Sequence, residues 1–189
     1  MKIIFVRHGE SEFNAGLTKE KDVPLTKKGR KQAESLGKAL KRYNISEIYT
    51  SKMIRAKQTG EIISKVLKVP VKGNLEELNE FRARHLRSRL RAALSTDYNR
   101  KLKKLRKFLD RVSEDRNKDK TILLVAHGFT NRIIMAVLLK IPINKKLFRF
   151  NQDNTCMNML IWGDRYKEWN ISCLNNIEHL PAGLRRNNR

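Results

Sequence analysis

Two histidines in this sequence directly follow hydrophobic runs. Ile3-Ile4-Phe5-Val6 leads into Arg7-His8-Gly9, and Thr121-Ile122-Leu123-Leu124-Val125-Ala126 leads into His127-Gly128. A lone histidine is more often structural or simply exposed. The chain has only 4 histidines, however, so finding both of these at equivalent points argues for a shared task. A neutral imidazole is a nucleophile at pH 7, and a planar guanidinium such as that of Arg7 clamps two oxygens of an anion at once. Breaking a phosphate monoester needs such a nucleophile, positive charge on the phosphoryl oxygens and an acid for the leaving oxygen.

For His8 and His127 to act together, the runs before them must lie side by side. Both runs are short and continuously apolar, as in strands of a parallel sheet buried on both faces. In open sheets of that kind, ligands bind beyond the carboxyl ends of the strands. Pro24-Leu25-Thr26 opens a helix, with Thr26 as N-cap and Ala33, Leu36, Ala39 and Leu40 at helical spacing to about Tyr43. Glu47-Ile48-Tyr49-Thr50 predicts a second strand, and a helix from about Met53 to Leu67 follows, ended by Pro70. Leu86, Leu90 and Leu94, then Leu102, Leu105, Leu109 and Val112, predict two more helices with Asp97 as candidate N-cap between them. Thr130 to Lys140 predicts a helix stopped before Pro142, and Met157 to Trp162 with Trp169 to Leu174 a last strand pair joined through Gly163-Asp164. The alternation predicts an α/β fold, a three-layer sandwich with a mostly parallel central sheet flanked by helices. At 189 residues the chain suits a single domain over residues 1–180, with a basic helical cap region at about 78–118 and a basic flexible tail at 181–189.

The composition is strongly basic, with 42 Lys+Arg against 19 Asp+Glu and a formal charge of +23. Such a surplus sets up a positive field that attracts anions such as phosphate esters, nucleic acid or acidic membrane, and it says nothing about fold. Cys156 and Cys173 stand far from any CxxC pattern, so neither a zinc site nor a disulfide scaffold is expected. The apolar run after Lys2 is too short for a signal peptide, and no run approaches the ~18 apolar residues of a membrane span. The expectation is a soluble, cytoplasmic protein with no membrane partner, no metal and no cofactor.

The motifs extend beyond the two histidines. Arg7-His8-Gly9-Glu10-Ser11 is followed by Asn14. Pro24-Leu25-Thr26 is followed by Gly29, Gln32 and Ala33, and Ser51 by Arg55-Ala56 and Gln58-Thr59. His127-Gly128 closes a hydrophobic strand, with Asn154-Thr155 further on. In these blocks, their order and their reach to about residue 175, the sequence resembles the histidine phosphatase superfamily in its phosphoglycerate mutase-like branch. The resemblance implies a phosphatase in which His8 is transiently phosphorylated. Arg7, Arg55, Asn14 and the amide of Gly128 would hold the phosphoryl oxygens, and His127, when protonated, would donate to them. The family's proton donor is a Glu in a Leu-x-Glu segment after the second arginine. Leu75-Glu76-Glu77 assigns that role to Glu77, with Glu80 and Glu76 as fallbacks. Family members usually continue with a Gly and another acidic residue, where this chain has Leu78-Asn79-Glu80-Phe81-Arg82-Ala83-Arg84.

The most basic stretch begins there. From Arg82 to Lys107 the only acid is Asp97. In the family this region caps the active site and shapes substrate choice. Arg82, Arg84 and Arg87 are therefore candidates for binding a second anionic group of the substrate. The expectation is a metal-independent phosphomonoesterase acting through phospho-His8 on a small anionic phosphate ester, as a monomer or homodimer. One alternative is phosphoglycerate mutase-type phosphoryl transfer, in enzymes that usually carry a larger insertion before the second histidine. Another is a basic nucleic-acid- or anion-binding protein on a phosphatase scaffold, with nucleic acid held only through non-specific charge.

Overall fold

The computed structural model of the protein describes residues 1–81, 96–114 and 119–185. Strand β1 (Lys2–Arg7) is followed by α1 (Lys27–Leu40), β2 (Ile45–Ser51), α2 (Ile54–Leu67) and β3 (Val71–Leu75). Then come α3 (Thr96–Val112), β4 (Thr121–Ala126), α4 (Gly128–Leu138), β5 (Met157–Gly163) and β6 (Glu168–Asn176). The apolar run of β1 alternates between two cores. Ile3 and Phe5 pack with Leu105, Leu109, Ile133 and Ile134, from α3 and α4. Ile4 and Val6 pack with Leu36, Leu40 and Ile63, from α1 and α2. The sheet is thus the middle of three layers, and its central strands are apolar throughout because both faces are covered.

The strand order is β3-β2-β4-β1-β5-β6. The first four strands run parallel, while β5 is antiparallel to β1 and β6 antiparallel to β5. Arg7 pairs with Ala126, so β1 and β4 end level with each other. The His8 amide continues the ladder by donating to the Ala126 carbonyl at 3.0 Å. That register brings together the two histidines singled out by the sequence.

Three local features depart from expectation. Strand β3 was not anticipated: Val71-Lys72-Gly73-Asn74-Leu75 alternates half-buried and exposed residues, as suits an edge strand covered on one face. Helix α2 ends at Leu67, where expected, but the stop is its C-cap Lys68, which takes the left-handed conformation (φ 58°) ahead of Pro70. Asp97 lies within the first turn of α3 rather than at its cap, and accepts a hydrogen bond from Arg100 Nη2 at 2.8 Å. The helix expected around Leu86, Leu90 and Leu94, and residues 186–189 of the basic tail, lie outside the described residues.

The nucleophile loop is locked to α1 by close backbone approach. A Cβ on Gly9 would collide with the Gly29 carbonyl, and one on Gly29 with the Glu10 carbonyl. Glycine at both positions lets the Thr26 amide donate to Glu10 O at 3.0 Å. Thr26 also caps α1 by accepting from the Gly29 amide, and Gln32 Oε1 accepts from the Glu10 amide at 2.8 Å.

Candidate active site

His8 is buried at the carboxyl end of β1. Its Nδ1 lies 2.7 Å from the Gly9 carbonyl. A carbonyl only accepts, so Nδ1 carries the proton and the Nε2 lone pair is left for reaction. Arg55 Nε donates to that Nε2 at 2.9 Å. Burial and the neighbouring His127, Arg7 and Arg55 push the His8 pKa well below its ordinary value, against the Gly9 carbonyl. His8 is therefore neutral at pH 7 and its lone pair is directed.

Arg55 comes from the first turn of α2, where Arg55 Nη1 donates to Lys21 O at 2.6 Å. Asp22 Oδ1 accepts from the Ile54 amide at 2.8 Å and tethers the loop before α1 to the N-terminus of α2. Thr59 Oγ1 donates to Arg55 O at 2.7 Å and accepts from the Gly9 amide at 3.1 Å, joining the arginine and nucleophile segments. On the other side, Arg7 Nη1 donates to Gln152 O at 2.6 Å. Asn154 Nδ2 donates to His8 O at 3.1 Å and to Asn14 Oδ1 at 3.3 Å. Asn14 Oδ1 also accepts from Ser11 Oγ at 3.2 Å, which leaves the amide –NH₂ of Asn14 as the group to offer a ligand.

His127 is fully buried at the end of β4, with its ring centroid 5.1 Å from that of His8. Burial first, then Arg55, Lys101 and Arg7, hold its pKa well below the ordinary value. Gly128 begins α4, so its amide belongs to a helix N-terminus suited to anions. A cavity of about 1140 Å³ opens beside these residues; Arg7, His8, Asn14, Arg55, Glu80 and Gly128 all line it, while His127 is fully buried and is not among its lining residues.

Glu77 is not in that set. It faces a separate recess with Glu76, Arg100 and Lys104. Glu80 stands over the histidines instead: its Oε1 accepts from the Phe129 amide at 3.1 Å, and its Oε2 lies 3.9 Å from His127 Nδ1. Burial raises the Glu80 pKa, opposed by Arg7 and Arg55. Of the two candidate carboxylates it is thus Glu80, the fallback, and not Glu77 that lies in the cavity with His8 and beside His127. The turn over Glu76–Leu78 sends Glu77 away from the cavity, and Lys101 Nζ fixes the next segment by donating to the carbonyls of Asn79 and Glu80 at 2.9 and 3.0 Å. The signal was present in the sequence, because Leu78-Asn79-Glu80 is also a Leu-x-Glu. Reasoning from sequence also missed Gln152, Arg132 and Lys101 as cavity residues, since each reaches the site from a different element. Arg82, Arg84 and Arg87 lie outside the described residues.

A family model for the histidine phosphatase superfamily (branch 1) matches residues 3–177. The chain belongs to the histidine phosphatase superfamily. Among curated members, the uncharacterized phosphatase PhoE of Bacillus subtilis is 28% identical over 203 residues, covering 97% of this chain and 98% of its own. The probable phosphoglycerate mutase GpmB of Photorhabdus laumondii is 41% identical over 68 residues, covering 35% of this chain and 32% of its own. The match thus spans about a third of that mutase. Among solved structures, phosphoserine phosphatase from Entamoeba histolytica, in complex with 3-phosphoglyceric acid, superposes with a TM-score of 0.76 at 23% identity, over 95% of this chain and 99% of that one. This superfamily member therefore shares its fold with a solved phosphatase and is alignable over 97% of its residues with a curated protein named as a phosphatase. Among the described residues no helix is long and apolar enough to cross a membrane.

Proposed function

We propose that this protein is a phosphomonoesterase that acts through a phosphohistidine on His8, with Glu80 as the proton donor. The observation that carries the reading is the His8 ring: its Nδ1 is committed to Gly9 O, and its Nε2 lone pair sits between Arg55 and His127. In the first step Nε2 attacks phosphorus while the bond to the ester oxygen breaks. Arg55 Nε exchanges the imidazole for a phosphoryl oxygen, Arg7, Asn14 and the Gly128 amide supply further donors, and Glu80 gives its proton to the leaving oxygen. In the second step water attacks phospho-His8, Glu80 takes up the water's proton, and inorganic phosphate and neutral His8 are regenerated. The charge neutralisation needed comes from Arg7 and Arg55, so the scheme requires no metal ion.

The alternative is mutase chemistry, in which a second substrate rather than water accepts the phosphoryl group. Water as the acceptor is supported by the likeness to PhoE over 98% of its length, whereas the phosphoglycerate mutases match over about a third to three quarters of theirs. A panel of phosphate esters assayed for free phosphate with wild type and His8→Ala tests the reading. Release by the wild type and a loss on the order of 10⁴-fold or more in the variant are expected. Full activity in the variant refutes it, and interconversion of 2- and 3-phosphoglycerate without phosphate release transfers the site to the mutase alternative.

A further inference from the structure

We infer that Ser51 and Asn79 dictate where His127 carries its proton, so that an oxyanion entering the site is bound together with one extra proton on His127 Nδ1. The inference rests on the reading of this cavity as a phosphoryl site. It follows from a chain of hydrogen bonds whose directions are fixed at one end. The Lys52 backbone amide donates to Asn79 Oδ1 at 2.9 Å, which identifies that atom as the accepting oxygen. Ser51 Oγ lies 2.8 Å from the same oxygen, so the single hydroxyl proton must point there. Ser51 Oγ accepts from the Met53 amide at 3.1 Å, and its remaining neighbour is His127 Nε2 at 2.8 Å. With the hydroxyl proton committed, Nε2 must be the donor. A neutral His127 therefore has a bare Nδ1.

That Nδ1 is buried and has no hydrogen-bond partner among the described residues. Glu80 Oε2 is 3.9 Å away. A phosphoryl oxygen brought to a bare Nδ1 meets a lone pair; brought to a protonated Nδ1 it meets a charged donor. The groups that set the balance are Arg7 and His8 at the end of β1, Arg55 on α2, Lys101 on α3 and Glu80 before it. The three cations and burial keep the ring neutral, and a dianion among them reverses the preference. Ser51 acts through His127 and is a positioning residue.

Sulfate is a suitable probe because it stays dianionic across the pH range and is not turned over. Nitrogen NMR of histidine-labelled protein near pH 7.5 reads each ring directly. The expected result is one proton on Nε2 of His127 in the wild type, and protons on both nitrogens once sulfate saturates. The sulfate Kd from the same titration should then weaken about tenfold per pH unit above neutrality. In Ser51→Ala the neutral ring is free to hold its proton on Nδ1, and the pH dependence should fall below threefold per unit; Ser51→Thr, which keeps the hydroxyl, should restore it. A wild-type His127 already protonated on Nδ1 without sulfate overturns the inference, as does a ring that stays singly protonated while His8 and His127 signals shift on binding. If sulfate shifts neither histidine, the oxyanion site itself fails, which is a separate result from the tautomer measured in the free protein.

Discussion

The two ends of the active site are built differently. The phosphoryl end lies at the carboxyl ends of the two central parallel strands, where His8 and His127 are buried; backbone hydrogen bonds tie the His8 loop to its neighbours, and Thr59 and Asp22 tie the start of α2. The leaving-group end is assembled from the turn after β3, the first turns of α3 and the N-terminus of α4. The proposed acid, Glu80, keeps a third of its side chain exposed (34%). Electrostatic catalysis depends on preorganised groups, and the buried end has them. The open end can change with the substrate without disturbing the phosphoryl chemistry.

The largest difference between the two ends should show at Glu80. Glu80→Gln should lower kcat on alkyl phosphates by about 10²- to 10⁴-fold. The effect on p-nitrophenyl phosphate, whose leaving group needs little protonation, should be far smaller. Glu77→Gln, outside the cavity, should change either substrate by less than about threefold. Steady-state kinetics on both esters decide between the two carboxylates. The pH profile sharpens the same point. Burial raises the Glu80 pKa, so its proton persists to higher pH than that of an exposed glutamate. Alkyl ester turnover should then fall as pH rises through that pKa, and Glu80→Gln should lack this alkaline limb.

A smaller effect tests the locked end. Gly29→Ala places a Cβ against the Glu10 carbonyl and should cost about 1–3 kcal/mol of stability, read as a lowered Tm, with kcat falling as the His8 loop shifts. The smallest expected effect is remote from the site. Burial raises the Glu47 pKa, but hydrogen bonds from Lys120, Lys72 and Tyr49 prevail and lower it from 4.5 to about 2. A carboxylate whose folded pKa is depressed contributes stability above its unfolded pKa and loses it as pH falls through the folded one. Between pH 4.5 and 2 the wild type should therefore lose more stability than Glu47→Gln, by on the order of 1 kcal/mol after screening. Chemical denaturation across that range checks it.

Much of the phosphoryl end was legible in the sequence, because its parts sit at fixed offsets within single elements. A continuous apolar run announces a buried parallel strand, and the histidine just past it has nowhere to be but the carboxyl end of the sheet. Arg55 could be placed because it opens a helix directly after β2. The leaving-group end was less legible for a physical reason. Leu75-Glu76-Glu77 and Leu78-Asn79-Glu80 present the same pattern three residues apart, and only the turn between them, with Lys101 from a distant helix, decides which carboxylate faces inward. Strand β3 was hidden because its residues owe their strand conformation to pairing with β2 rather than to their own preference. Ser51 was recognised as part of a motif, but its bond to His127 spans 76 residues of sequence and has no local signature.

A covalent phosphohistidine at His8 is the step on which the proposed chemistry depends. It is tested by rapid mixing of the wild type with p-nitrophenyl phosphate, quenching in alkali, where phosphohistidine survives, and mass analysis of a peptide containing His8. A phosphoryl adduct on His8 that forms before phosphate is released and is absent in His8→Ala is expected. Phosphate release in step with p-nitrophenol, with no adduct at any time and unchanged turnover in His8→Ala, would contradict it.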